Sequence, residues 1–495
     1  MKHEKIVKKA MSAWTAIRKM REPRTAILAL AVCAMALAGC ALTQPTDPYT
    51  PIARMQHTGM DQAAVASAQR PGRSIPIREP LTLSRAVDVA LANNPEIAAV
   101  QWDAAASENR RQVVQAAAWP TLNVEAGYGR YLNAQRLIPT RFNGDPGVFD
   151  RDIYRGDLVL RFPLFTGGRI TNEIKAAELL AQSEQKRLVR TREELVFNLA
   201  STFYAILSQH DVIRSLEFSI GAMEEHRRQI ADLLAAQKAA RVDLLRTEVR
   251  IADLRQNLVR EQNTLAVQKR LLVNLMGVDG DAEEIAIDGA LVTEPEPELS
   301  PDNLMISALK RRGDYLAARA RLEAQARRVD AAKAGSWPVV NLVGSYGVRG
   351  APSPEDEGKD TKSEEDVGAV GIALTVPLFE AGRTAAQVRQ ERATLAAAQE
   401  RLRKLELQIR REVETAALNV RSGSARIEAT RASIAQAQES LRIERMKYDL
   451  GSGSMTDVLD AQSALLQAET NFARAVADYR IALASLKLAI GENPI

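Results

Sequence analysis

Two hydrophobic periods alternate along this chain. Apolar Leu122, Val124, Ala126 and Tyr128 alternate with Asn123, Glu125, Gly127 and Gly129. Leu158, Leu160, Phe162 and Leu164 alternate with Asp157, Val159, Arg161 and Pro163. Period-two alternation predicts strands with one apolar and one more polar face. The pattern returns over Val340, Leu342, Gly344, Tyr346 and Val348. It returns again over Val370, Ile372, Leu374, Val376 and Leu378, set against the small Ala369, Gly371, Ala373 and Thr375. Charged, Pro/Gly-rich stretches join the strands of each pair. They are 132–152 (Arg136, Arg141, Asn143, Gly144, Asp145, Pro146) and 350–366 (Pro352, Pro354, Glu355, Asp356, Glu357, Lys359, Asp360), and they predict long loops. A half-buried soluble hairpin shows the same alternation. Long loops at one end of alternating strands of ~10 residues are instead the pattern of outer-membrane barrels. Pro163 and Pro377 stand near strand ends, where a missing ladder donor is tolerated.

Beyond each strand pair the period becomes seven. Leu199, Ile206, Ile213 and Ile220 form one seam; Val413, Val420, Ile427, Ile434, Leu441 and Tyr448 form another, preceded by Val388, Leu395, Leu402 and Ile409. Sustained heptads with charged, Ala-rich flanks predict long coiled-coil helices. The stretch from about 168 to 235 contains no Pro and predicts a helix of ~100 Å at 1.5 Å per residue. Helices over about 84–118 and 242–276, each near half that length, flank it. The same plan recurs as a long helix near 384–449 flanked by helices near 304–335 and 455–490.

The recurrence is an internal duplication. Trp119-Pro120-Thr121-Leu122-Asn123 returns as Trp337-Pro338-Val339-Val340-Asn341, with every number higher by 218. Phe162-Pro163-Leu164-Phe165-Thr166-Gly167-Gly168-Arg169 returns as Val376-Pro377-Leu378-Phe379-Glu380-Ala381-Gly382-Arg383, with every number higher by 214. Each half, 81–303 and 304–495, therefore builds the same unit: short helix, strand, strand, long helix, turn, short helix. Four strands cannot close a barrel when the smallest membrane barrels have about eight, and open edges are not allowed in lipid. Oligomerisation is forced.

The N-terminus changes the charge picture. Eight Lys/Arg precede an apolar run, Thr25 to Gly39, too short to span a bilayer, which needs ~20 apolar residues. This is the layout of a secretory signal peptide, assigned to residues 1–39. It ends on Leu37-Ala38-Gly39-Cys40, which resembles the bacterial lipobox and implies acylation of Cys40, with Ala41 implying sorting to the outer membrane. The precursor carries 66 basic and 62 acidic residues. Removing the signal leaves 58 basic and 60 acidic residues, a net charge of −2, so no nucleic-acid footprint remains. With Cys33 lost and Cys40 lipidated, no thiol is left for a disulfide. Residues 40–80, with six prolines, read as an extended linker between the anchor and the folded body.

The paired strand–Pro–Gly-Arg landmarks, together with Tyr448-Asp449-Leu450-Gly451-Ser452-Gly453-Ser454-Met455-Thr456-Asp457-Val458-Leu459-Asp460-Ala461-Gln462, resemble the TolC-like outer-membrane factor family. The likeness is closest to its lipoprotein branch, the NodT-type efflux lipoproteins, and covers nearly all of residues 80–492. It implies an α+β membrane protein: a homotrimeric 12-stranded β-barrel in the outer membrane, continuous with a 12-helix periplasmic α-barrel. It also implies a passive exit duct for small molecules, docked to a periplasmic adaptor (membrane fusion) protein and powered by an inner-membrane transporter, of the RND type by family habit. The segment 277–303 would belong to an equatorial belt with the chain termini. An outer-membrane channel for type I protein secretion is the alternative within the family; a periplasmic coiled-coil adaptor lipoprotein is a remoter one.

The candidate site is the periplasmic tip. Asp457 and Asp460 open the helix after the Gly451–Ser454 turn, and three-residue spacing puts both carboxylates on one face. Ser454-Met455-Thr456-Asp457 also resembles a capping box, which by itself explains one acidic residue there. In a threefold assembly the pair becomes a ring of six carboxylates favouring cations. The family resemblance implies that Asp243, in the corresponding turn of the first repeat, accepts a hydrogen bond from Tyr448 in a closed state. Where family members often place an Arg, this chain has Gly453, which implies a weaker lock. No catalytic constellation, cofactor motif or metal-ligand spacing is found: His210 and His226 are sixteen residues apart, and Gly358-Lys359 is followed by Asp360.

Overall fold

In a computed structural model of the chain the residues described are 80–138, 148–237, 240–281, 285–295, 297, 300–350 and 364–495. Cys40, the signal segment, all but the last residue of the Pro-rich linker, Glu283, Glu284 and the loop residues 139–147 and 351–363 lie outside them. The first repeat comprises α1 (Leu83–Asn93), α2 (Pro95–Ala116), β1 (Thr121–Ile138), β2 (Val148–Phe165), α3 (Arg169–Ala235) and α4 (Arg241–Met276). The second comprises α5 (Pro301–Arg311), α6 (Gly313–Lys333), β3 (Val339–Gly350), β4 (Glu364–Thr375), α7 (Arg383–Asp449) and α8 (Met455–Ile490). Both ends of α3 and α7, and of α4 and α8, are related by the same numbering offset, 214, as the second sequence landmark.

The four strands form one antiparallel sheet in the order β1-β2-β3-β4, leaving β1 and β4 as open edges. Register collects the apolar positions on one face: Leu122 opposes Leu160, Val124 opposes Leu158, Phe162 opposes Leu342 and Leu342 opposes Ile372. The other face carries Glu125 opposite Asp157, and Arg161 bonds Glu125 at 2.9 Å. The first loop is much shorter than the expected 132–152. The β1–β2 ladder continues through Gln135/Asp150 to Ile138/Val148 across two register shifts, which let a twisted strand carry polar residues onward. Arg136, expected in the loop, is a strand residue paired with Phe149.

The helix expected over 84–118 is two helices. Asn94 is extended (φ −63, ψ 125), because the residue before a proline is pushed out of the α region, and its side chain caps α2 by accepting from Glu96 N and Ile97 N. The helix expected over 304–335 breaks likewise at Arg312 (φ −57, ψ 122), the counterpart of Asn94 at the first landmark's offset. No proline enforces this second break. Packing does: an added Cβ on left-handed Gly491 would sit 2.7 Å from Arg312 N, as one on Gly277 would sit 2.6 Å from Asn93 O. Each short lower helix thus ends against the backbone of a broken upper one.

Helix α3 packs against α2 and α4 on one side and against α6 and α8 on the other, while α7 packs against α6 and α8. The heptad residues are the seams. Leu199, Ile206, Ile213, Ile409, Val413, Val420, Ile427 and Leu441 are buried. Val388, Leu395, Leu402, Ile220, Ile434 and Tyr448 are half-buried. A strap crosses these helices: Leu81 bridges Ile287, the Tyr479 hydroxyl donates to Glu294 O, and Arg480, which bonds the Glu294 carboxylate, lies 5.0 Å over the Tyr204 ring of α3. Among the described residues no helix is long and apolar enough to cross a membrane.

Candidate functional site

The 67 residues of α7 carry its C-terminal end ~100 Å from β4. There the chain reverses through Leu450–Ser454. Gly451 takes the left-handed conformation (φ 73) that closes a helix. Lys447 O receives N–H groups from Ser452 and Gly453 and the Ser452 hydroxyl. A Cβ at Gly453 would sit 2.9 Å from Lys447 Cβ, so this turn leaves little room for any side chain there.

Ser454 then caps α8. Its hydroxyl accepts from Asp457 N at 3.2 Å, and Asp457 Oδ2 accepts from Ser454 N at 3.3 Å and from the Ser454 hydroxyl at 2.8 Å. The capping box is complete. One carboxylate oxygen of Asp457 is therefore occupied by local structure. Asp460 is exposed and takes no part in the cap. It lines a groove of about 480 Å³ between α4 and α8 with Arg246, Arg250, Asp253, Thr456 and Ser463. Arg246 donates to the Thr456 hydroxyl at 3.1 Å and Arg250 to the Ser463 hydroxyl at 2.6 Å, tying the two short helices together.

The C-terminal end of α3 meets α7 and α8 beside this turn through Ile230, Leu441, Met455, Val458 and Leu465. Tyr448 is half-buried here. Burial, then the carboxylates of Asp243 and Asp449, push its hydroxyl above the ordinary tyrosine pKa. Asp243 thus faces Tyr448 within electrostatic range, and no hydrogen bond joins them among the described contacts. The Asp243 backbone carbonyl accepts from the Thr247 hydroxyl at 2.9 Å.

Sequence reasoning misses His226 at this site, because spacing tests it only as a metal ligand. Its ring meets the Tyr448 ring edge-on, centroids 5.7 Å apart at 66°, and its Nε2 lies 3.2 Å from Met455 Sδ. Burial lowers its pKa; a hydrogen bond with Gln229 and the charge of Asp449 oppose this, and Arg445 adds to it. Arg445 donates to Gln462 Oε1 at 2.9 Å, and Gln462 Nε2 donates to the Ser219 hydroxyl at 3.4 Å, linking α7, α8 and α3. A signal for His226 is present: it sits three residues after Met223 and four before Ile230, the in-facing spacing of a seam. Among the described residues no cluster of three His, Cys, Asp or Glu side chains could hold a metal.

The model of the outer membrane efflux protein family matches residues 86–278 and 304–492, one segment in each repeat. The chain belongs to the outer membrane efflux protein family. Its relatives include the outer membrane protein OprJ of Pseudomonas aeruginosa, 26% identical with 95% of this chain and 96% of that protein covered. The outer membrane protein TolC of Vibrio cholerae is 21% identical, covering 83% and 90%. The proteases secretion protein PrtF of Dickeya chrysanthemi is 23% identical, covering 76% and 80%. Among solved structures, the outer membrane protein VceC of Vibrio cholerae superposes with a TM-score of 0.71 at 20% identity, covering 83% of this chain and 97% of that one. The fold of this efflux-family chain is that of the trimeric outer-membrane channel tunnels, a barrel continuous with a helical conduit.

Proposed function

We propose that this chain assembles as a homotrimer into an outer-membrane exit duct of a tripartite efflux system. A periplasmic adaptor and an inner-membrane pump would supply small toxic molecules and the energy to move them. The observation that carries the reading is the open, two-faced sheet of four strands joined to helices of ~100 Å. Such a sheet is stable in lipid only when closed by other copies, and such helices are long enough to meet partners across the periplasm. The protein acts as a channel rather than an enzyme. It is anchored by acylation at Cys40, tested by mass spectrometry of the mature N-terminus; an unmodified Cys40 would remove the anchor from this reading. Asp460, with Asp457, sets cation preference at the periplasmic mouth, and Tyr448 facing Asp243 holds it narrow.

Deleting the gene should sensitise cells to small toxic compounds while leaving secreted proteins unchanged, with resistance restored by the wild-type chain. Loss of an exported protein with unchanged sensitivity would instead favour type I secretion, as for the relative PrtF.

A further inference from the structure

The duplication makes the chain's own internal joint a template for the joint between copies. Strands β2 and β3, one from each repeat, pair so that partner numbers total 504, as in Leu158↔Tyr346 and Arg161↔Val343. β4 repeats β2 with numbers higher by 214, and β1 repeats β3 with numbers lower by 218. Applying both offsets lowers the total by four. We propose that β4 of one copy, together with the two residues that follow it, and β1 of the next form an antiparallel ladder whose partner numbers total 500, running from Val370 against Arg130 of the partner subunit to Pro377 against Asn123 of the partner subunit, with Gly371 facing Gly129 of the partner subunit. The inference rests on the homotrimer reading and adds its register.

Three observations support it. First, the faces match. Ile372, Leu374 and Val376 meet the apolar positions Tyr128, Ala126 and Val124 of the partner subunit, while Ala373 and Thr375 meet Gly127 and Glu125 of the partner subunit on the other face. A one-residue slip would set apolar against polar throughout. Second, Gly347, the repeat counterpart of Gly129, sits where a Cβ would fall 2.1 Å from Gly156 O, so the internal joint admits only glycine there. Within its own chain Gly129 meets only the Tyr131 ring, at 3.5 Å, and Gly371 meets nothing within 4 Å. Both small residues have their reason at the joint with a second copy. Third, Leu164 and Phe165 are 49% and 44% exposed, covered by the next repeat, whereas their counterparts Leu378 and Phe379 are 92% and 88% exposed. Phe165 pairs with Val340, so Phe379 is placed beside Leu122 of the partner subunit, itself 57% exposed.

The copy ends just below. At Gly167 a Cβ would lie 2.5 Å from Trp337 Cβ, yet its counterpart Ala381 has a Cβ, so Trp119 of the partner subunit must sit further away there.

Disulfide trapping in native outer membranes tests the register, since Cys33 leaves with the signal and Cys40 is acylated. Ile372→Cys is combined in turn with Tyr128→Cys, Ala126→Cys and Arg130→Cys, with Leu158→Cys/Tyr346→Cys as the intrachain control. Oxidation should give covalent dimers and trimers chiefly with Tyr128→Cys, falling about tenfold for the neighbours, whose Cα separations exceed disulfide reach. Dominant cross-linking at Ala126→Cys or Arg130→Cys overturns the register but keeps the trimer, as does failure of all three pairs in a particle of trimer mass. Failure in a particle of one-chain mass overturns the trimer itself. Gly371→Val, harmless in an isolated chain, should cost the trimer its heat resistance on electrophoresis. Unchanged heat resistance overturns the glycine seam.

Discussion

The guanidinium of Arg312 donates to the backbone carbonyl of Ala489 at 3.2 Å. In the first repeat Asn94 Nδ2 donates to the equivalent carbonyl, that of Leu275, at 2.9 Å. The two helix breaks thus make the same bond to the last turn of the same short helix, once with a neutral amide and once with a charge. Arg312 is 1% exposed and also bonds Asp314 and Glu412 at 2.7 Å. Burial alone would raise the Asp314 pKa, but the bonds and charge of Arg312 hold it below the usual carboxylate range.

Arg312→Met should therefore cost more than Asn94→Ala. Removing one partner of a buried ion pair costs ~3 kcal/mol, because it leaves carboxylates uncompensated. Losing a cap and one neutral bond costs about 1–2 kcal/mol. Denaturant unfolding of the detergent-solubilised protein would show whether the order holds.

The left-handed backbone positions pair across the repeat. Gly167 matches Ala381, Gly277 matches Gly491, and Gly451 (φ 73) matches Gln237 (φ 59). Ala381→Gly and Gln237→Gly should each stabilise by about 1 kcal/mol, since a left-handed L-residue costs roughly that much. The reverse change, Gly167→Ala, should destabilise through the clash with Trp337. Thermal midpoints of the three variants test this; a lower midpoint for Ala381→Gly would contradict it.

At the tip, Asp457 and Asp460 should separate by assay. Asp457→Ala should lower stability by ~1 kcal/mol through loss of the capping box. Asp460→Ala should leave stability alone and reduce cation preference in planar-bilayer recordings. Tyr448→Phe should raise conductance. Unchanged conductance and selectivity in both Asp460→Ala and Tyr448→Phe would leave this turn a purely structural role.

His226 makes the tip acid-sensitive. Its folded pKa lies below the ordinary 6.5, so the unfolded or loosened state binds more protons in between. Stability of the packed tip is full above about 6.5 and falls as pH drops through 6.5 toward the folded value. Charging the ring also adds repulsion from Arg445, partly offset by Asp449, and sets it against a weak sulfur acceptor on Met455. Amide exchange around 223–230 and 448–458 should accelerate as the pH is taken from neutral to mildly acidic. His226→Gln should flatten that profile, whereas His210, also depressed by burial and by Lys269 and Arg214, serves as the comparison.

Much was legible in the chain by itself, because periodicity is local. Alternation at 122–128 and 370–378 and heptads from Leu199 to Tyr448 follow from which face of a regular element meets solvent, and the landmarks repeated at offsets of 218 and 214 show the duplication. They set the strand faces, the lengths of α3, α4, α7 and α8, the turn at Gly451–Ser454 and the need for more than one copy. The break at Asn94 could have been inferred from Pro95. The break at Arg312 could not, since its cause is the end of a helix remote in the chain, pressing on it at Gly491. The capping box of Ser454 and Asp457 was legible because it lies within one helical turn, whereas the position of His226 against Tyr448 and Met455 could not be weighed before three helices were brought to one place. Local pattern dictates what each element must bury; only the packed structure decides which remote backbone and side-chain groups share a desolvated contact, and there charge and close approach outweigh local propensity.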